Sequence, residues 1–87
     1  MSNPYNEYRK KIDAIDEQLL ELLNQRAEIA LKIGEIKRQN QDPVYVPERE
    51  KAVLEQLQMK NKGPLKNEDV KTIFEEVIRR VRMLEED

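Results

Sequence analysis

Arg26 and Lys37 are cations in a stretch whose periodicity demands apolar side chains. Placing Ile12, Leu19 and Ile33 on one heptad position puts Arg26 on that position too. Lys37 follows eleven residues later, about 20° away on a wheel that turns ~100° per residue. The two therefore share one inward-leaning face, roughly 16 Å apart along the axis. Side chains of that length can grip opposite ends of one small anion. The alternative is that Arg26 pairs with a glutamate of a neighbouring helix and fixes register.

Three further places carry charge of interest. Arg9 lies seventeen residues before Arg26, roughly 25 Å along the same helix, so the two cannot serve one small ligand within a single chain. If two such helices pack antiparallel, Arg9 of one chain reaches the site of the other; read alone, Arg9 is solvated surface. Arg49 and Glu50 are adjacent and point about 100° apart, which suits different jobs, or simply a charged helix start that complements the dipole. Val81 and Glu85 are four apart on one face. A glutamate so near a terminus ordinarily faces water.

The elements that must position these groups read as three helices: long, short and medium. Residues 5–40 form one amphipathic helix with Ile12, Ile15, Leu19, Leu22, Leu23, Ile29, Ile33 and Ile36 as its stripe. Ser2-Asn3-Pro4 is a capping start, and Lys37 and Arg38 suit the negative end of the dipole. Residues 41–47, with Pro43, Val44, Tyr45, Val46 and Pro47, form a short, extended, packed connector. Pro47 and the acidic residues after it open a second helix through Ala52, Val53, Leu54, Leu57 and Met59. Asn61-Lys62-Gly63-Pro64 stops it, with Gly63 suited to a left-handed cap. Asn67 is the expected N-cap of a third helix, with Val70, Ile73, Phe74, Val77, Ile78, Val81 and Leu84 as its inner face.

A first helix of that length spans roughly 54 Å, whereas a compact globule of this chain length has a radius of gyration of only about 12 Å. The helix must overhang its own domain, and a second chain is expected to cover its stripe. Eighty-seven residues allow one small domain, 1–87, whose marginal core also favours oligomerisation. The segment equally suits a domain cut from a longer chain. With 39% charged and 5% aromatic residues, the composition is that of a helical bundle. Neither cysteine nor histidine is present, which argues against disulfides and zinc. A net charge of −2 argues against nucleic acid as partner. No apolar run suits a signal core or a membrane span, so the expected location is the cytoplasm.

The chain resembles the all-helical (AroQ-class) chorismate mutases over nearly its whole length. The residues that carry the resemblance are Tyr8 to Glu17, Leu19 to Arg26, Ile33 to Lys37, Pro43-Val44-Tyr45, Pro47 to Glu50, Gly63-Pro64-Leu65 and Ile73-Phe74. It implies an intertwined homodimer with two sites, each drawing on both chains, that turns chorismate into prephenate on the way to phenylalanine and tyrosine. It further implies that Arg26 and the other chain's Arg9 bind the substrate's two carboxylates. Lys37 then contacts a carboxylate and the ether oxygen of the breaking bond, Glu50 accepts from the ring hydroxyl, and Arg49 supports as a nearby cation. Val81 takes a wall position and Glu85 the place beside the ether oxygen. Val46 departs from members with aspartate there, which puts that hydroxyl contact in doubt.

The implied reaction is an intramolecular [3,3] rearrangement that needs no nucleophile, metal or cofactor. A protein contributes a chair-like substrate conformation and fixed charge where negative charge grows. A carboxylate at Glu85 would repel the ether oxygen, whereas its protonated form donates to it; burial raises its pKa and Lys37 lowers it, with the balance left open. Competing readings are an isochorismate-pyruvate lyase, a catalytically idle dimerisation or regulatory domain of a shikimate-pathway enzyme, and a plain coiled-coil adaptor.

Overall fold

The computed structural model describes residues 3–86 and builds them into α1 (Pro4–Asn40), α2 (Pro47–Lys60) and α3 (Asn67–Glu86). Ser2, expected to share in starting α1, lies outside the described residues. Asn3 does that work: its side chain accepts from the Tyr5 N–H at 2.8 Å, and Pro4 follows at the first helical position. Proline's missing N–H costs nothing there.

The far end of α1 shapes the site. Gln41 adopts φ 58°, a left-handed conformation that costs a non-glycine residue about 1–2 kcal/mol. Two hydrogen bonds offset the strain: Gln41 N–H to the Arg38 carbonyl at 3.2 Å and Asp42 N–H to the Lys37 carbonyl at 2.8 Å. The chain reverses, and Pro43 prevents the helix from resuming. Val44 and Val46 then run half-buried alongside Lys37 towards α2.

Two expectations about the α2–α3 turn are corrected. Gly63 is left-handed, at φ 74°, but it lies beyond the helix end; the cap of α2 is Asn61, in extended conformation. Asn61 makes a left-handed cap unnecessary by satisfying the turn with its side chain. It donates to the Leu65 carbonyl at 2.7 Å and to Asn67 Oδ1 at 2.9 Å, and accepts from Gly63 N–H at 3.0 Å. That contact takes the Asn67 side chain away from the expected capping role. Asn67 is instead the first helical residue, and the Lys66 carbonyl accepts the first helical bond, from Val70 N–H at 3.0 Å.

α3 is the shared wall. It packs on α1 on one side and on α2 on the other, while α1 and α2 meet only through it. The buried apolar core is small: Val70, Ile78 and Val81, all 7–8% exposed, with Phe74 and Val77 half-buried beside them. Ile73 and Leu84, expected inside, are half-exposed. Eleven residues apart, they share a flank of α3 that neither neighbour covers. Met59 is 86% exposed and belongs to no inner face.

The radius of gyration is 16.7 Å and the extents are 62 × 24 × 16 Å, far from a compact globule of this size. The expected overhang is present: every described residue up to Gln25 is exposed. Among the described residues, no helix is long and apolar enough to cross a membrane.

Candidate functional site

Where α1 gains a neighbour, its polarity changes meaning. Gly34 is buried on α1, and Ala27 and Ala30 are half-buried; their small side chains let α3 come close. A β-carbon added at Gly34 would lie 3.3 Å from Glu85 Cγ and 3.4 Å from Glu85 Cβ. That approach brings the last turns of α3 beside Arg26 and Lys37. A cavity of about 280 Å³ lies between the C-terminal half of α1, the connector, the start of α2 and α3. It is close to the smallest size of ordinary small-ligand sites.

Six of the seven residues singled out from sequence line this cavity: Arg26, Lys37, Arg49, Glu50, Val81 and Glu85. Arg9 does not. It is exposed on the overhanging half of α1, with its guanidinium 5.4 Å from the centre of the Tyr5 ring. Arg26 makes no ion pair among the described residues, so the register-fixing glutamate has no counterpart among them. Lys37 Nζ donates to the Val44 carbonyl at 3.1 Å. This bond aims the ammonium from the connector and leaves two of its three N–H donors for a ligand. Val46 also lines the wall, so that position offers no polar side chain.

Glu85 settles a balance left open by the sequence. Burial pushes its carboxyl above the ordinary value of 4.5, against Lys37 and Arg26, which favour the charged form; Glu50 and Glu86 add to the rise. The acid end of α3 therefore holds a proton more tightly than a solvated glutamate does.

Arg82 is the site residue that sequence reasoning missed. It lines the cavity, and its Nη1 donates to Glu50 Oε2 at 2.5 Å. That bond holds the Arg82 pKa above its usual value against a smaller opposing effect of burial. The residue follows Val81, about 100° round the helix, and so reads as surface. The available signal was its spacing of four from Ile78, which places the two on one side of α3.

The cavity thus has Arg26, Lys37 and Arg49 as cations without a carboxylate partner among the described residues, with Arg82 paired to Glu50 and Glu85, its pKa raised by burial, on the same lining. Such a wall suits a small dianion with one weakly basic oxygen. Ile29 and Ile33 complete it, and both also belong to the bare stripe of α1, 59% and 47% exposed. Whatever covers the stripe therefore also roofs the cavity.

Comparisons with known proteins agree along the whole fold. The family model for chorismate mutase type II matches residues 8–86. The bifunctional chorismate mutase/prephenate dehydratase of Neisseria gonorrhoeae is 51% identical over 71 residues, which cover 82% of this chain and 19% of that protein. The protein of the same description from Aquifex aeolicus is 45% identical over 76 residues, covering 83% and 21%. This chain thus spans about a fifth of the length of those relatives. Among solved structures, chorismate mutase (form II) from Thermus thermophilus superposes with a TM-score of 0.94 at 30% identity, covering 97% of this chain and 96% of that one. Helicobacter pylori chorismate mutase in complex with prephenate gives 0.85 at 38% identity, covering 92% and 87%. The chain belongs to the chorismate mutase type II family.

Proposed function

We propose that this chain converts chorismate to prephenate by intramolecular [3,3] rearrangement, as a homodimer with two shared sites. The observation that carries the reading is the meeting of Arg26, Lys37, Arg49, Glu50 and Glu85 on one cavity whose wall continues into the bare stripe of α1. The prephenate held by the Helicobacter pylori relative supports a ligand of this class.

The resemblance to the chorismate mutases implies the roles, and the charge of each residue supports them. Arg26 binds one substrate carboxylate through paired N–H donors, and Arg9 of the second copy, carried by an antiparallel α1, binds the other. Lys37 donates to a carboxylate and to the ether oxygen, where negative charge grows as the C–O bond breaks and the C–C bond forms. Glu85, protonated, donates to the same oxygen. Glu50 accepts from the ring hydroxyl, Arg49 adds positive potential, and Val81 shapes the wall. Folding the substrate into a chair-like, near-attack shape supplies the rest of the acceleration. Residues 1–87 act as a single domain, whether alone or within a longer bifunctional chain.

The test is a prephenate assay on the wild type and on Arg26→Ala, with helicity followed by circular dichroism. Loss of at least about 100-fold in kcat/KM with intact helicity supports a ligand-binding Arg26. Loss of helicity together with activity assigns Arg26 a structural role. Wild-type turnover of isochorismate to pyruvate and salicylate, with none of chorismate, transfers the same pocket to the lyase reaction.

A further inference from the structure

We infer that Arg82, clamped over Tyr45, is a positioning residue that holds the Glu50 carboxylate in place for the substrate's hydroxyl and away from the cations that bind its carboxylates. The inference rests on the function proposed above and concerns a residue outside the set assigned there.

The contact differs from every other ion pair among the described residues. Arg82 and Glu50 lie 32 residues apart on α3 and α2, and their side chains are 22% and 25% exposed. The pairs of Glu76 with Arg79 and Arg80, and of Lys10 with Glu7, sit within one helix with both side chains about half-exposed or more. A partly desolvated, charge-assisted bond between helices is the kind that fixes geometry. Tyr45 makes the arrangement stiffer. The Arg82 guanidinium carbon lies 4.3 Å from the centre of the Tyr45 ring. The cation–π contact steadies the guanidinium while its Nη1 donates to Glu50. The second contact of Arg82, Nε to Glu86 Oε1, is longer at 4.0 Å.

The consequence concerns the two oxygens of Glu50. Arg82 occupies Oε2, and Oε1 has no hydrogen-bond partner among the described residues, leaving it to accept from a ligand hydroxyl. Val46 offers no alternative acceptor on that wall. Without Arg82, Glu50 would still line a cavity containing Arg26, Lys37 and Arg49. Its carboxylate would turn towards them, competing with the substrate's own carboxylates and abandoning the hydroxyl. Arg82 therefore acts on the substrate through Glu50.

The experiment is a double-mutant cycle on chorismate turnover with Arg82→Met and Glu50→Gln, helicity and melting followed alongside. We expect Arg82→Met to lower kcat/KM about 10–100-fold, chiefly by raising KM. In the Glu50→Gln background the same change is expected to cost less than about twofold, because Glu50 is no longer a charge to restrain. Tyr45 provides a second route that leaves the ion pair chemically intact: Tyr45→Phe keeps the ring and the activity, whereas Tyr45→Leu lowers kcat/KM in the direction of Arg82→Met.

An equal loss in both backgrounds would mean that Arg82 acts on the ligand directly, and overturns the inference. A lowered melting temperature with kcat/KM of the folded protein unchanged reduces Arg82 to a staple between helices, and also overturns it. Should Arg82→Met fail to fold, Tyr45→Leu with wild-type kcat/KM has the same force. Absence of wild-type prephenate formation instead removes the proposed function, and this inference falls with it.

Discussion

The two halves of α1 carry the same apolar period and meet opposite surroundings. From Pro4 to Gln25 every residue of the helix is exposed, and Tyr8, Ile12, Ile15, Leu19 and Leu22 are all more than half exposed. From Arg26 onwards α3 lies against it, Gly34 is buried and the cavity opens. The stripe does not stop at that border: Ile29, Ile33 and Ile36 continue it, still largely exposed. One half is thus a surface without a neighbour, and the other is a site without a roof. In the proposed function a second copy laid antiparallel would supply both at once, making assembly and catalysis one event.

The largest expected effect comes from charging the bare half. Ile12→Asp with Leu19→Asp places carboxylates where each covered side chain would contribute on the order of 1 kcal/mol, and burying an unpaired charge costs several times that. Sedimentation should show a monomer, and kcat/KM should fall at least about 100-fold because the roof and Arg9 of the second copy are both lost. Met59→Asp, on a side chain just as apolar but 86% exposed and off every inner face, should leave both unchanged. A stable, active dimer of the doubly charged variant would end the idea that the stripe is an interface.

The contrast also separates what the sequence makes legible from what it does not. Ile12, Leu19 and Ile33 announce α1 and its overhang through local period alone, and Pro43 and Pro47 bracket the connector in the same way. Arg26 and Lys37 stand out because they interrupt that period. Arg82 does not, since its importance comes from Glu50, a residue 32 positions away on another helix. The packing of α2 against α3 creates that contact, and no spacing within either helix encodes it. Asn67 fails for a related reason: a good capping residue is displaced from that role by Asn61, whose side chain organises the whole turn. The raised pKa of Glu85 depends on how far packing excludes water from it, which a linear pattern cannot express.

Within the packed half, Gly34→Ala isolates the close approach of α1 and α3. Alanine favours the helix by roughly 1 kcal/mol over glycine. Its methyl group, however, meets Glu85 Cγ at 3.3 Å, tighter than an ordinary contact. The side chain of Glu85 is the part able to move. The melting temperature should therefore change little while kcat falls about 10-fold as Glu85 leaves its place. A variant with unchanged kcat would show that Glu85 need not sit where Gly34 admits it.

Glu85→Gln should have a smaller effect, confined to pH dependence. Burial holds the Glu85 pKa above 4.5, so the folded protein binds this proton more tightly than the unfolded chain does. Stability from this group is fully present below the unfolded pKa and is lost as pH rises through the folded one. Activity should follow the same sense, declining as the acid gives up the proton it donates to the ether oxygen. Glutamine keeps a donor at every pH and should flatten the profile; an unchanged profile would exclude Glu85 from that role.

The smallest effect is expected at the exposed back of α3. Glu76 accepts from Arg79 at 2.7 Å and from Arg80 at 2.9 Å, which lowers the Glu76 pKa and raises that of Arg79. All three side chains are about half-exposed or more, so water screens the charges and already satisfies them. These bonds are nearly as short as the one between Arg82 and Glu50, yet Arg79→Ala should leave the melting temperature, the dimer and kcat/KM unchanged within error. Arg82→Met, three residues along the same helix, removes a cation whose partner lies on another helix, is less exposed and lines the cavity. A measurable loss of activity in Arg79→Ala would mean that a charge on α3 acts through the general field of the helix, and that the contrast between its two faces is false.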